Sequence, residues 1–186
     1  MKLKKQTVAG LILTLLPFAA AAQPMTLQLT KGNMLAQTHS HALIMGVTGT
    51  FRKLSGRLDF DPTAKTCHID VTLMVESLEL PNALIRSQTM SKDFLDPAEY
   101  PTQHYTGNCV DGRLQGELTM RGQTHPFDMR LTFITTDGQL TAIHTEGVLN
   151  RYQWGLNGLQ MTVGKMIRVT NDISLNGQLP KPANLD

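Results

Sequence analysis

The sequence predicts an all-β protein, an antiparallel barrel or sandwich of about eight strands with one short helix at its mouth. Three observations predict it. Apolar residues recur with a period of two along most of the chain, as they do on strands with one buried face. Turn dipeptides (Asp61-Pro62, Asp111-Gly112, Arg121-Gly122 and Asp137-Gly138) punctuate those runs. Only residues 82–101 and, more briefly, 151–160 break the pattern.

The elements follow in order. Strands are expected at 25–30, 34–47, 51–61, 67–77, 102–110, 113–121, 124–136, 139–150 and 166–178. In 67–77, Cys67, Ile69, Val71, Leu73 and Val75 share a face, while His68, Asp70 and Thr72 take the other. Phe127, Met129, Leu131 and Phe133 alternate in the same way with Asp128, Arg130 and Thr132, and Ile167, Val169, Ile173 and Leu175 do so near the end. Short connections and one-sided apolarity favour antiparallel architecture. In the 82–101 break, Asn82 is a helix-capping residue before a helix-compatible run from Ala83 to Lys92. An acidic turn with two prolines follows. A barrel of about eight strands has an interior just wide enough for one slim ligand, and an insert at its mouth is a natural lid.

Residues 1–22 read as a signal peptide. Lys2, Lys4 and Lys5 form a positive start, Val8 to Phe18 is largely apolar, and Ala20-Ala21-Ala22 offers a small-residue cleavage site before Gln23. The apolar run falls short of the roughly 20 residues needed to span a bilayer. No later segment is apolar enough to span either, so stable membrane insertion is not expected. Export to the periplasm is. Losing the three lysines takes the formal charge from +2 to −1, and no run of Lys or Arg offers a footprint for nucleic acid. The remaining chain suits one domain, 23–179, with a loose tail at 180–186.

Cys67 and Cys109 enter an oxidising compartment, where an even count argues for a disulfide, with two buried thiols as the alternative. Topology favours the bond. Cys67 opens the strand before the lid and Cys109 ends the strand after it, so antiparallel neighbours would place them opposite one another.

Little in the sequence points to catalysis. It has no Gly-x-Ser-x-Gly elbow, no His-Glu-x-x-His and no phosphate-cradling glycine loop. Asp93, Asp96 and Glu99 lack the oxygen ladder of a calcium loop and read as a solvated turn. His39 and His41 are the sharpest polar feature. At i and i+2 of a strand they lie roughly 6–7 Å apart on one face, a spacing that could chelate a transition metal, with His104, His125 or His144 as a third ligand. A metal site remains the alternative; none is assigned.

In this setting the chain resembles the YceI-like family. The resemblance rests on "GTFRKLSGRLDFDP", "DFLDPAEYP", "GRLQGELTMRGQTHPFDMRLTF", "NRYQWGL" and "VGKMIRVTNDISL", which occur in the family's order across residues 25–179. It implies an extended, lipocalin-like β-barrel in the periplasm that holds a polyisoprenoid, a quinone-like molecule or another amphiphilic lipid. The role implied is binding or carriage, not catalysis, with no bound cofactor other than that lipid. The helix within 82–92 would be the lid.

On this reading the ligand-binding residues are Leu43, Met45, Phe51, Leu58, Phe60, Phe94, Tyr105, Leu118, Met120, Phe127, Met129 and Phe133. They either line a void or simply fill the barrel, and the resemblance favours the void. Ten methionines in the chain suit an adaptable lining. His41, Arg86 and Arg151 fall where the family carries a histidine and arginines. They would meet a polar headgroup at the mouth, or the arginines would pair with Asp93, Asp96 or Glu99. Departures are Ser87 after Arg86, Gln37 and His39 at usually apolar positions, and Gln103-His104 before Tyr105. If the odd-numbered face of 35–51 points inward, Gln37, His39 and His41 make the wall polar, against a purely hydrocarbon ligand. The partner expected is a lipid-like small molecule, with a second copy of the chain left open. An envelope scaffold with an empty barrel is the remaining alternative.

Overall fold

Turn chemistry sets much of the chain path. Asp111-Gly112, Arg121-Gly122 and Asp137-Gly138 all have positive φ at both residues, as two-residue hairpin turns matched to strand twist require. The computed structural model describes residues 23–42 and 45–177. The signal segment predicted at 1–22, the tail predicted at 180–186, and Leu43 lie outside the described residues.

The strands are β1 (Met25–Leu29), β2 (Met34–Ala42), β3 (Met45–Phe51), β4 (Leu54–Asp61), β5 (Thr66–Met74), β6 (Leu78–Glu79), β7 (Thr102–Val110), β8 (Arg113–Met120), β9 (Gln123–Pro126), β10 (Met129–Thr136), β11 (Gln139–Asn150) and β12 (Met166–Ser174). Among the described residues one α-helix, α1 (Ala83–Thr89), follows β6. All pairings are antiparallel, in the order β1-β4-β5-β7-β8-β10-β11-β12-β2-β3-β6, with β9 beside β8.

These segments combine into the lipocalin-like barrel that the sequence predicts. β3 runs into β4 through Arg52-Lys53 alone, and β5 reaches β6 through a 3-10 turn at Val75–Ser77. β1 and β2 run beside β4 and β3 respectively. β9 and β10 are one strand interrupted at Phe127-Asp128, where the Phe127 amide donates to the Gly116 carbonyl at 2.8 Å. Joined this way, the segments form eight long strands, and the bent pair β3–β4 and β5–β6 brings the two ends of the sheet together.

One predicted strand is corrected. Residues 34–47 are not a single strand but the hairpin β2–β3, with Ala42 opposite Met45. This reversal shifts the pleat. Met34, Ala36, Thr38 and Ser40 face the interior from β2, then Val47 and Phe51 from β3. The odd face of β2, with His39 and His41, therefore lies on the outside.

Cys67 and Cys109 form a disulfide with a Cα–Cα distance of 4.9 Å. β5 and β7 pair with His68 opposite Asn108, which brings the two cysteines together at the end of the barrel away from α1. At that same end Phe60 and Phe133 meet across the interior, ring centroids 5.8 Å apart, with Leu58 and Ile143 buried beside them. They plug the base.

Candidate functional site

Above the plug the barrel encloses a cavity of about 330 Å³. Its lower wall is Met34, Ile69, Leu114 and Ile173. Its middle is Val71, Tyr105, Leu118, Phe127, Met129 and Leu149, and its upper wall includes Phe51, Leu73, Leu78, Gln103 and Met120. Ile85, Gln88 and Thr89 of α1 roof it together with Phe94, Leu95, Leu159, Thr162 and Val163. Among the described residues, none that lines the cavity carries a charge.

Glycines shape the wall. Gly107 and Gly116 face each other across β7 and β8, and a Cβ on either would lie 2.9 or 2.6 Å from the Tyr105 hydroxyl. Their bareness gives the Tyr105 ring its seat, where the hydroxyl donates to the Leu114 carbonyl at 3.3 Å. Burial raises the Tyr105 phenol well above its usual range, so it stays neutral. On β11, a Cβ at Gly147 would come within 2.7 Å of Met129 Cγ and Phe127 Cζ. Tyr105, Phe127 and Trp154 stack edge to face, and the Trp154 indole donates to the Leu118 carbonyl at 2.9 Å.

The roof is held unevenly. Asn82 caps α1 by accepting from the Ile85 amide at 2.9 Å, yet α1 buries none of its residues. It ends at Thr89 rather than Lys92, because the chain then folds back to bury Phe94 and Leu95. That return segment is firmly tied. Arg121 donates to the carbonyls of Lys92 and Phe94, and the Gly158 amide donates to the Asp93 carbonyl at 2.8 Å. Asp96 is buried here rather than solvated.

Of the residues singled out in the sequence, Phe51, Phe94, Tyr105, Leu118, Met120, Phe127 and Met129 line the cavity. Leu58, Phe60 and Phe133 do not; they belong to the basal plug, since a shared face says nothing of height along the barrel axis. Met45 is 62% exposed, because the hairpin places it on the rim. His41 is exposed on the outer face.

The arginines also differ from expectation. Arg86 donates to the carbonyls of Leu78 at 2.6 Å and Glu76 at 2.9 Å, fixing α1 to the barrel rim. Arg151 is 0% exposed. Its guanidinium donates to the carbonyls of Leu156, Gly158, Val163 and Gly164 and to the Tyr152 hydroxyl. Neither arginine lines the cavity or pairs with Asp93, Asp96 or Glu99. Arg151 organises the 155–165 loop, a role that depends on backbone carbonyls and so leaves no side-chain pattern in the sequence.

The histidines are dispersed. His39 meets the Thr48 and Thr170 hydroxyls at 3.2 and 2.9 Å on the outer face, and burial, then the Arg168 charge, lower its pKa. His104 pairs with Asp70, His144 with Asp172, and His125 stacks on Trp154. Among the described residues no group of three His, Cys, Asp or Glu side chains is placed to hold a metal ion.

This architecture can be set beside known proteins. Residues 25–177 match the YceI-like domain. The chain belongs to the YceI-like family. Among curated relatives, a UPF0312 protein of Pseudomonas fluorescens is 31% identical over 107 residues, covering 51% of this chain and 54% of the relative. A UPF0312 protein of Vibrio cholerae is 29% identical over 128 residues, covering 64% and 67%. The match thus spans about half the length of the Pseudomonas relatives. Solved structures share the fold. The YceI protein of Campylobacter jejuni superposes with a TM-score of 0.61 at 22% identity, over 72% of this chain and 86% of that one. A polyisoprenoid-binding domain from Saccharophagus degradans gives 0.56 at 12% identity, over 82% and 99%. BcnA of Burkholderia cenocepacia gives 0.60 at 18%, over 76% and 95%.

Proposed function

We propose that this YceI-like protein binds and carries a slender lipid, of isoprenoid, quinone-like or related amphiphilic type, inside its barrel in the periplasm. The observation that carries this reading is the uncharged, largely apolar cavity under α1. A cavity of that size lies at the lower end of the range for small-molecule sites, about 300–1,000 Å³. Each methylene buried there contributes about 0.8 kcal/mol, so a prenyl chain can be held chiefly by apolar contact. The polyisoprenoid-binding description of the Saccharophagus degradans domain supports the same ligand class. The role proposed is binding and carriage, in keeping with the polyisoprenoid-binding description of that domain.

The helix α1 is the gate. It contributes Ile85 and Thr89 to the roof, buries no residue fully, and is tied to the barrel rim through Arg86. The segment behind it is pinned by Arg121, so opening would be confined to the helix. Periplasmic residence follows from the signal sequence read at 1–22. Among the described residues no helix is long and apolar enough to cross a membrane.

Calorimetric titration of protein purified without lipid with a prenyl alcohol such as farnesol tests the reading. Saturable binding of one molecule per chain is expected. Heats no different from those of a β-sandwich control protein would refute it.

A further inference from the structure

Among the described residues, one buried polar side chain of the cavity lining is not used by the fold. Gln103 is the first inward-facing residue of β7 below the lid segment, only 7% exposed, and borders the cavity. Its amide has no hydrogen-bond partner among the described residues. Across the sheet it faces Leu73 of β5, and beyond the His104–Thr119 pair lies Met120 of β8; neither can satisfy an amide. The other buried polar side chains of the lining, Thr145 and Asn171, are engaged. The Asn171 amide nitrogen donates to Thr145 Oγ1 at 3.1 Å and to Met129 Sδ at 3.5 Å.

An amide set in an apolar wall without a protein partner is costly unless the cavity's contents satisfy it. The Gln103 amide is not sealed off, since His144 Nε2 is the one side-chain atom fully buried without a partner among the described residues. Gln103 instead opens onto the cavity. Its two hydrogen-bonding atoms are presented to whatever occupies the cavity. The same wall is hostile to charge. Among the described residues, no lining side chain is ionisable except the neutral Tyr105 phenol, and the guanidiniums of Arg86 and Arg151 are taken up by backbone carbonyls. A phosphate or carboxylate drawn inside would lack a counter-charge.

We propose that Gln103 is a specificity residue. It selects an uncharged amphiphile whose carbonyl or hydroxyl group lies just beneath the lid while its apolar chain fills the barrel. This inference rests on the lipid-carrying reading and narrows it.

Competition against a fluorescent apolar dye tests it, using farnesol, the matching hydrocarbon farnesene, and farnesyl phosphate on wild type, Gln103→Leu and Gln103→Met. Farnesol should bind wild type about tenfold more tightly than either variant, the loss expected for one buried hydrogen bond. Farnesene should bind the variants at least as well as wild type, and farnesyl phosphate should compete more weakly than farnesol. Thermal melts establish that each variant is folded. Unchanged farnesol affinity in the folded variants, or a preference for the phosphate, overturns the role of Gln103 while leaving lipid binding intact. Failure of all three probes on wild type overturns the lipid reading and this inference with it.

Discussion

Removing the Cys67–Cys109 bond should weaken the barrel without emptying it. The cysteines are 42 residues apart in sequence, and the loop they close contains most of β5, all of β6, α1 and the pinned lid segment. For a loop of that length, chain entropy predicts about 4 kcal/mol of stabilisation. In a chain of this size each kcal/mol moves the midpoint by roughly 2–4 °C, so the double Cys67→Ala, Cys109→Ala variant should melt about 8–16 °C below wild type. Alanine avoids placing a hydroxyl at Cys109, which is buried. Scanning calorimetry of the variant, of oxidised wild type and of reduced wild type separates loss of the crosslink from loss of sulfur packing. Because the bond lies at the base and ligand exchange is assigned to the other end, farnesol affinity should stay within about threefold, under 1 kcal/mol. A midpoint shift below about 3 °C, near 1 kcal/mol on the same scale, would refute the loop argument. A normal melting shift with lost binding would refute the separation of base and mouth.

Other outcomes follow from the same geometry. Arg151→Lys should destabilise by about 3 kcal/mol or more, because an ammonium cannot reproduce a fork that serves four carbonyls; urea denaturation measures it, and a loss under 1 kcal/mol would contradict the assignment. Met129→Trp should abolish prenyl-alcohol binding in calorimetry, and affinity equal to wild type would show that the chain does not occupy the middle of the barrel. For His39, burial holds the folded pKa below the ordinary 6.5, so the unfolded state takes up the proton first. Its contribution to stability is present above 6.5 and is lost as pH falls through the lowered folded value. His39→Gln should therefore flatten the acid side of the melting profile, and identical profiles would refute that linkage.

Much of this was readable from alternation. The faces of β5 and β7, and from them the disulfide, follow from a period of two and a lid inserted between neighbouring strands. The hairpin after β2 was not readable. "HALIMGV" has no Asn-Gly or Asp-Gly turn, and its apolar run resembles a strand interior, so the sequence leaves open which face of β2 points inward, and the hairpin turns His39 and His41 outward. Phe60, Phe133 and Tyr105 show a different limit: alternation places all three inside but cannot say which plug the base and which line the void. The roles of Arg151 and Arg121 leave no pattern in the sequence, since carbonyls supply nearly all their partners. Gln103 was visible as a polar residue on an apolar face, but only its burial and lack of a partner give that a meaning.

The most direct test is native mass spectrometry of the protein isolated from its native host, wild type beside Leu118→Trp. Leu118 lines the middle of the cavity, and a Trp there should fill space otherwise open to the ligand, costing less than the roughly 1–3 kcal/mol of overpacking a solid core. The predicted result is a single extractable lipid adduct on wild type, absent from a folded Leu118→Trp variant with a nearly unchanged melting point. A wild-type protein that carries no lipid adduct, or a variant that keeps it, would contradict the lipid-carrying role.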